Sequence, residues 1–199
     1  MFDTLLLATH NRGKVDEFQT MLAPIGIELK SAHDFDLPEP EETESTFTGN
    51  ALLKARHAVQ KTGLPSLADD SGLSIDALDG APGIHSARWA VNEAGERDFS
   101  MAMEKVNQEI GDIDGTQTAY FTAVLALVFP DGREEIFEGR VDGTLCWPAR
   151  GDKGFGYDPI FIPQGHDITF GEMGADFKHK ISHRALAVEK FEAYLKSHG

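Results

Sequence analysis

Cysteine is nearly absent from this chain, which has only Cys146. A single thiol excludes an internal disulfide and a multi-cysteine zinc site, and it suits a reducing compartment, with the side chain acting as a small buried hydrophobe. Positive charge is scarce as well: 18 Lys and Arg face 33 Asp and Glu, for a formal net charge of −15. The average surface therefore repels a nucleic-acid polymer and offers no basic stripe to hold one. Long apolar runs are missing too. The first nine residues have no basic flank and too short an apolar segment for a signal peptide, and no stretch reaches membrane-spanning length. A cytoplasmic protein with no membrane partner is expected. No repeat or low-complexity tract is present. What remains is a globular composition, 41 % apolar and 26 % charged over 199 residues. That length suits one domain or two closely joined lobes, burying about 70 % of the unfolded surface without a staple.

The most distinctive stretch is Leu67-Ala68-Asp69-Asp70-Ser71-Gly72-Leu73. Adjacent carboxylates repel, so a fold that brings them together supplies a cation, a shared proton or full solvation. Asp, Ser and Gly are also ordinary turn residues, and a solvated turn has the same composition. The reading is strand segments, Pro65–Ala68 and the alternating Leu73, Ile75, Ala77, on either side of an Asp-Asp turn.

Near the start, Thr4–Thr9 reads as a strand, His10-Asn11-Arg12-Gly13 as a loop, and Lys14–Leu22 as a helix. Unpaired N–H groups and the positive dipole end at such a junction favour an anion, and Arg12 and Lys14 add full charges. The segment resembles a phosphate cradle, although the P-loop pattern is not met, because Val15 follows Gly13-Lys14 and no glycine lies five positions before Gly13. An acidic loop, Leu37-Pro38-Glu39-Pro40-Glu41-Glu42-Thr43-Glu44, then leads to a helix capped by Ser45 or Thr46, running to Thr62 and stopped by Gly63. In that helix Asn50, Lys54 and His57 or Ala58 share a face, which puts an amide beside a cation; a solvated face would look the same.

Further on, Phe99–Ile110 has helical spacing, and Ala119–Phe129 is joined through Asp131-Gly132 to Glu134–Arg140 as a hairpin. The glycine-rich turn Gly151–Pro159 carries Phe155 and Tyr157 between glycines, where small neighbours let a flat ligand approach a ring. A C-terminal helix is expected from about Ala185 to Leu195, with Ser182 as a cap.

Several of these motifs occur in register: Thr9-His10-Asn11-Arg12-Gly13-Lys14, Glu41-Glu42-Thr43, Thr46-Phe47 with Asn50-Ala51 and Lys54-Ala55, and Ala68–Leu73. They continue with Gly80-Ala81-Pro82-Gly83 and Ser86-Ala87-Arg88, Gly154–Pro159, and Ile181-Ser182-His183-Arg184-Ala185. Together they resemble the inosine/xanthosine triphosphate pyrophosphatase family in its bacterial form, across nearly the whole chain. The resemblance implies an α/β fold, with a long mixed β-sheet flanked by helices and two lobes enclosing an active-site cleft, all within a single domain spanning 1–199. It implies a homodimer that uses Mg²⁺ to hydrolyse ITP, dITP and XTP to monophosphate and pyrophosphate, clearing deaminated purines from the nucleotide pool. Carried over by position, Thr9, His10, Asn11, Arg12, Gly13 and Lys14 bind the triphosphate, Glu41 and Asp70 serve the metal, and Asp70 is the proton acceptor. Ser71 touches substrate, Phe155, Gly156, Tyr157 and Asp158 line the base and sugar site, and Lys178, His183 and Arg184 complete the pocket. The family commonly has Gly or Asn where His10 stands, and His179-Lys180 makes the last loop more basic.

The chemistry asks for the same residue types. A triphosphate carries about four negative charges, which Mg²⁺ with Arg12, Lys14 and Lys178 would neutralise. Mg²⁺ keeps several waters, so one or two carboxylates suffice. Hypoxanthine and xanthine present acceptors at O6 and N7, whereas adenine presents a donor at position six. Donor-only Arg184, with a donor nitrogen of His183, would favour the oxo bases.

Overall fold

The computed structural model describes residues 2–111 and 113–198. Strand β1 (Thr4–Leu7) leads into helix α1 (Arg12–Leu22), which starts two residues ahead of expectation because Asn11 caps it, its side chain accepting from the Lys14 amide at 3.3 Å. Strand β2 (Glu28–Ser31) follows, short and half-exposed, with too little alternation to stand out in sequence. Helix α2 (Phe47–Thr62) is capped by Thr46 and closed by Gly63 at φ 69°, where the left-handed backbone suits glycine.

Strand β3 (Ser66–Ile75) corrects the expected Asp-Asp turn: it runs unbroken through Asp69-Asp70-Ser71-Gly72, and Ala77 lies in a 3-10 turn beyond it. Turn-forming composition loses here because the carboxylates are held in the sheet by partners distant in sequence. Helices α3 (Ser86–Trp89) and α4 (Phe99–Ile110) come next, then strands β4 (Thr118–Val128) and β5 (Glu134–Leu145), joined by a tight turn in which the Gly132 amide donates to Phe129. Strand β6 (Phe161–Pro163) is followed by α5 (Ala175–Ile181) and α6 (His183–His198). The last helix therefore begins at His183 rather than Ala185, and Ser182, extended at ψ 158°, separates it from α5.

The six strands are ordered β2-β1-β3-β4-β5-β6, with β1 parallel to β2 and β3, and β6 antiparallel to β5. The sheet is mixed, as the α/β expectation required. Among the described residues no helix is long and apolar enough to cross a membrane.

The chain divides into two compact units. The first comprises Met1–Asp70, Ala123–Gly139 and Arg184–Gly199. Its strands alternate between two apolar layers, Leu5, Leu7, Leu67 and Leu125 packing with Phe18, Leu22 and Phe191 of α1 and α6, and Leu6, Ala8, Ala68 and Val124 packing with Ala51, Ala55 and Ala58 of α2. The alanine face of α2 lets the helix lie close to the sheet. The second unit, Ser71–Thr122 and Arg140–His183, is built on Leu73, Ile75, Phe121, Phe161 and Phe170 with Ala102, Met103 and Val106 of α4.

Candidate active site

The two-residue period of a strand sends Asp69 and Asp70 to opposite faces of β3. Leu67 precedes Asp69 on the α1/α6 face, and Ala68 precedes Asp70 on the α2 face. The expected like-charge pair is thus resolved by geometry, each carboxylate meeting its own cations.

Asp69 is 2 % exposed and binds three donors: Lys14 Nζ as an ion pair, Arg184 Nε at 3.2 Å and Arg184 Nη2 at 3.4 Å. Burial alone would raise its pKa, but Arg184 and Lys14 outweigh it and hold the carboxyl far below the ordinary range. Arg184, 1 % exposed, spans Asp69 and Glu17, whose Oε2 accepts from Nη1 at 2.5 Å. Expected at the base edge, this guanidinium commits three donors to two carboxylates on the α1 side. Burial lowers the Lys14 pKa, against the opposing pull of Asp69.

Asp70, 5 % exposed, accepts from Lys54 Nζ at 2.8 Å through Oδ1, and the same ammonium donates to Glu42 Oε1 at 2.9 Å. Its Oδ2 is buried and has no hydrogen-bond partner among the described residues. Burial raises the Asp70 pKa against the opposing field of Lys54, which makes its carboxylate a better proton acceptor. Burial pulls on Lys54 most strongly, yet Asp70 and Glu42 together keep its pKa raised. Glu41 is exposed on the same loop, so Glu42 is the acidic-loop residue tied to Asp70. Among the described residues no three His, Cys, Asp or Glu side chains form a ready-made cation site. The unpartnered Oδ2 is a hard oxygen donor of the kind Mg²⁺ takes, and a sparse protein donor set fits a metal that keeps water and phosphate ligands.

At the start of α1, Thr9 Oγ1 accepts from the Asn11 amide at 3.2 Å, and His10 Nε2 lies 2.6 Å from the Leu37 carbonyl. Arg12 is exposed, while Gly13 and Lys14 are half-buried. The cradle thus has a capped helix start with cations beside it.

Within the second unit, Ser71 is half-buried on β3. Asp158 is 2 % exposed, its Oδ2 accepting from Lys178 Nζ at 2.7 Å and from the Phe155 amide at 2.8 Å. Lys178 lies 4.8 Å from the Phe155 ring centroid. Gly154 is required at φ 72°, since a Cβ there would clash with Asp158 Oδ2. Gly156 is half-buried, and Tyr157 turns inward to donate its hydroxyl to the Ser86 carbonyl at 2.9 Å, burial pushing its pKa up. The His183 ring stacks on Phe121 at 4.7 Å.

Sequence reasoning missed Lys54, Glu42 and Glu17 as parts of these constellations. Lys54 had a signal, the shared face with Asn50, whereas Glu17 and Arg184 meet across 167 residues and had none.

The Ham1 family profile matches residues 5–194. A protein named dITP/XTP pyrophosphatase from Ruegeria pomeroyi is 54 % identical over 191 residues, spanning 95 % of this chain and 93 % of its own length. Another of that name from Rhodospirillum centenum is 56 % identical over 194 residues, spanning 96 % and 94 %. The structure of a HAM1 protein from Coxiella burnetii superposes with a TM-score of 0.87 at 38 % identity, covering 99 % of this chain and all of that one. With this profile match, these identities and this shared fold, the chain belongs to the Ham1 family.

Proposed function

We propose that this chain hydrolyses non-standard purine nucleoside triphosphates (dITP, ITP and XTP) to the monophosphate and pyrophosphate. The observation that carries the reading is Asp70: a buried carboxylate with one oxygen anchored by Lys54 and the other without a hydrogen-bond partner among the described residues, in a chain whose relatives are named for this activity. Asp70, with Glu41 of the acidic loop and Glu42 beside it, would hold Mg²⁺. When bound, the metal supplies charge neutralisation on the polyphosphate and a lowered pKa for water.

The chain's own groups do the rest. Thr9–Lys14 seat the triphosphate on the start of α1, with Arg12 and Lys14 as electrostatic clamps. Asp70 accepts the proton of the water that attacks the α-phosphorus, the α–β bridging bond breaks, and pyrophosphate leaves. Lys54 fixes Asp70 in one rotamer. Ser71 contacts substrate, Phe155 stacks on the purine, and Asp158 holds Lys178. His183 presents a donor that matches O6 or N7 and clashes with the amino group of adenine, Lys178 adds positive charge to the pocket, and Arg184, held by Asp69 and Glu17, anchors the helix start that carries His183. The enzyme acts as a homodimer in the cytoplasm and keeps deaminated purines out of nucleic acid.

The test is pyrophosphate release with Mg²⁺ across dITP, XTP, ITP, dGTP, dATP and pyrimidine triphosphates. The oxo purines are expected to exceed dATP in kcat/KM by about 10² or more, the scale at which polar mismatch rejects a substrate. Equal rates for all purines would remove the base reading, and saturable binding without turnover would make the protein a sensor.

A further inference from the structure

Asn50 is absent from the site described above, and its surroundings give it a part in it. It is fully buried in the first turns of α2, 0 % exposed. Its Oδ1 accepts from the Glu44 amide at 3.1 Å. A backbone N–H only donates, so the atom facing Glu44 is the oxygen, and the carboxamide rotation is fixed. Nδ2 therefore takes the other side, buried and without a hydrogen-bond partner among the described residues. A buried unmet donor costs stability, and native chains keep one where something else completes it.

What completes it follows from the neighbours. One turn along the same face stands Lys54, whose ammonium reaches Asp70. An amide nitrogen cannot ligate a metal, and as a donor it takes an acceptor oxygen. The N-terminal end of α2 and the Lys54 ammonium both favour negative charge on that oxygen. We propose that Asn50 is a further substrate-binding residue, its Nδ2 donating to a non-bridging oxygen of the triphosphate chain. The assignment rests on the triphosphate reading of this site.

Two variants separate this role from a structural one. Asn50→Asp keeps Oδ1 for Glu44 and replaces the donor with an anionic oxygen. Asn50→Leu removes the donor with little change in volume, and the Glu44 amide, on an exposed residue, turns to water. Binding of inorganic tripolyphosphate with Mg²⁺ is measured by calorimetry, with KM for dITP and the ligand-free Tm. In both variants the tripolyphosphate Kd and the KM are expected to rise about tenfold or more, the loss of one charge-assisted hydrogen bond. The ligand-free Tm of Asn50→Leu stays at or above that of the parent, because an unmet donor has been removed. A tripolyphosphate Kd within about twofold of the parent in both variants overturns the proposal. So does failure of Asn50→Leu to fold, which would mean that Nδ2 already serves the protein. If the parent cleaves no oxo-purine nucleotide, the base assignment fails, while the tripolyphosphate measurement still reads on Asn50.

Discussion

Asp70→Asn is expected to lower kcat/KM for dITP by about 10³-fold, within the range contributed by a positioned general base. The substitution is isosteric, and the amide oxygen can still accept from Lys54 as Oδ1 does now at 2.8 Å. What disappears is the charge and basicity at Oδ2, the buried oxygen left without a hydrogen-bond partner among the described residues. The fold should survive, since burial already raises the Asp70 pKa and a neutral side chain relieves that cost. Steady-state kinetics on protein whose circular dichroism matches the parent checks the prediction. Turnover within about tenfold of the parent would remove Asp70 as proton acceptor.

Arg184→Met should show its effect in stability first. The guanidinium is 1 % exposed and answers both Asp69 and Glu17. Deleting it leaves two carboxylates buried, with Lys14 as the remaining partner of Asp69 among the ion pairs of this cluster. Removing one member of a buried ion network costs about 3–5 kcal/mol, or roughly 10 °C in Tm for a chain of this size. The pH dependence has a definite sign. The folded pKa of Asp69 lies far below its unfolded value, burial being outweighed by Arg184 and Lys14, so its stabilising contribution is present above the unfolded pKa and lost as pH falls through the folded one. Without Arg184 that folded pKa rises, and protonation of Asp69 relieves the variant on acidification. The gap between parent and variant in urea should therefore be widest near pH 7 and narrow toward pH 4–5. A loss under about 1 kcal/mol at neutral pH would show that Arg184 is not the keystone of this cluster.

These two residues also mark the limit of what the sequence discloses. Helix α2 was legible nearly from end to end because its signals are local: a cap at Ser45 or Thr46, of which the fold uses Thr46, a face bearing Asn50 and Lys54 with His57 or Ala58, and Gly63 at the stop. The Asp131-Gly132 turn was legible for the same reason. Strand β3 was not, since Asp, Ser and Gly favour a turn and only tertiary partners keep them extended. The opposite orientation of Asp69 and Asp70 follows from that strand, and with it the division of labour between them. Asp69 holds Arg184 and Lys14, and Asp70 faces Lys54. Arg184 is separated from Asp69 by 115 residues, beyond the reach of any periodicity. Lys54 showed in sequence as a cation beside an amide, but its burial and its hold on Glu42 and Asp70 required the fold.

The central claim, attack by water at the α-phosphorus of an oxo-purine triphosphate with Asp70 as proton acceptor, is tested most directly by hydrolysis of dITP in ¹⁸O-water with Mg²⁺. The products are resolved by mass spectrometry, and Asp70→Asn serves as the control. The label is expected in the monophosphate alone, with unlabelled pyrophosphate in equal amount and little of either from the variant. Label in pyrophosphate, or release of orthophosphate, would contradict it.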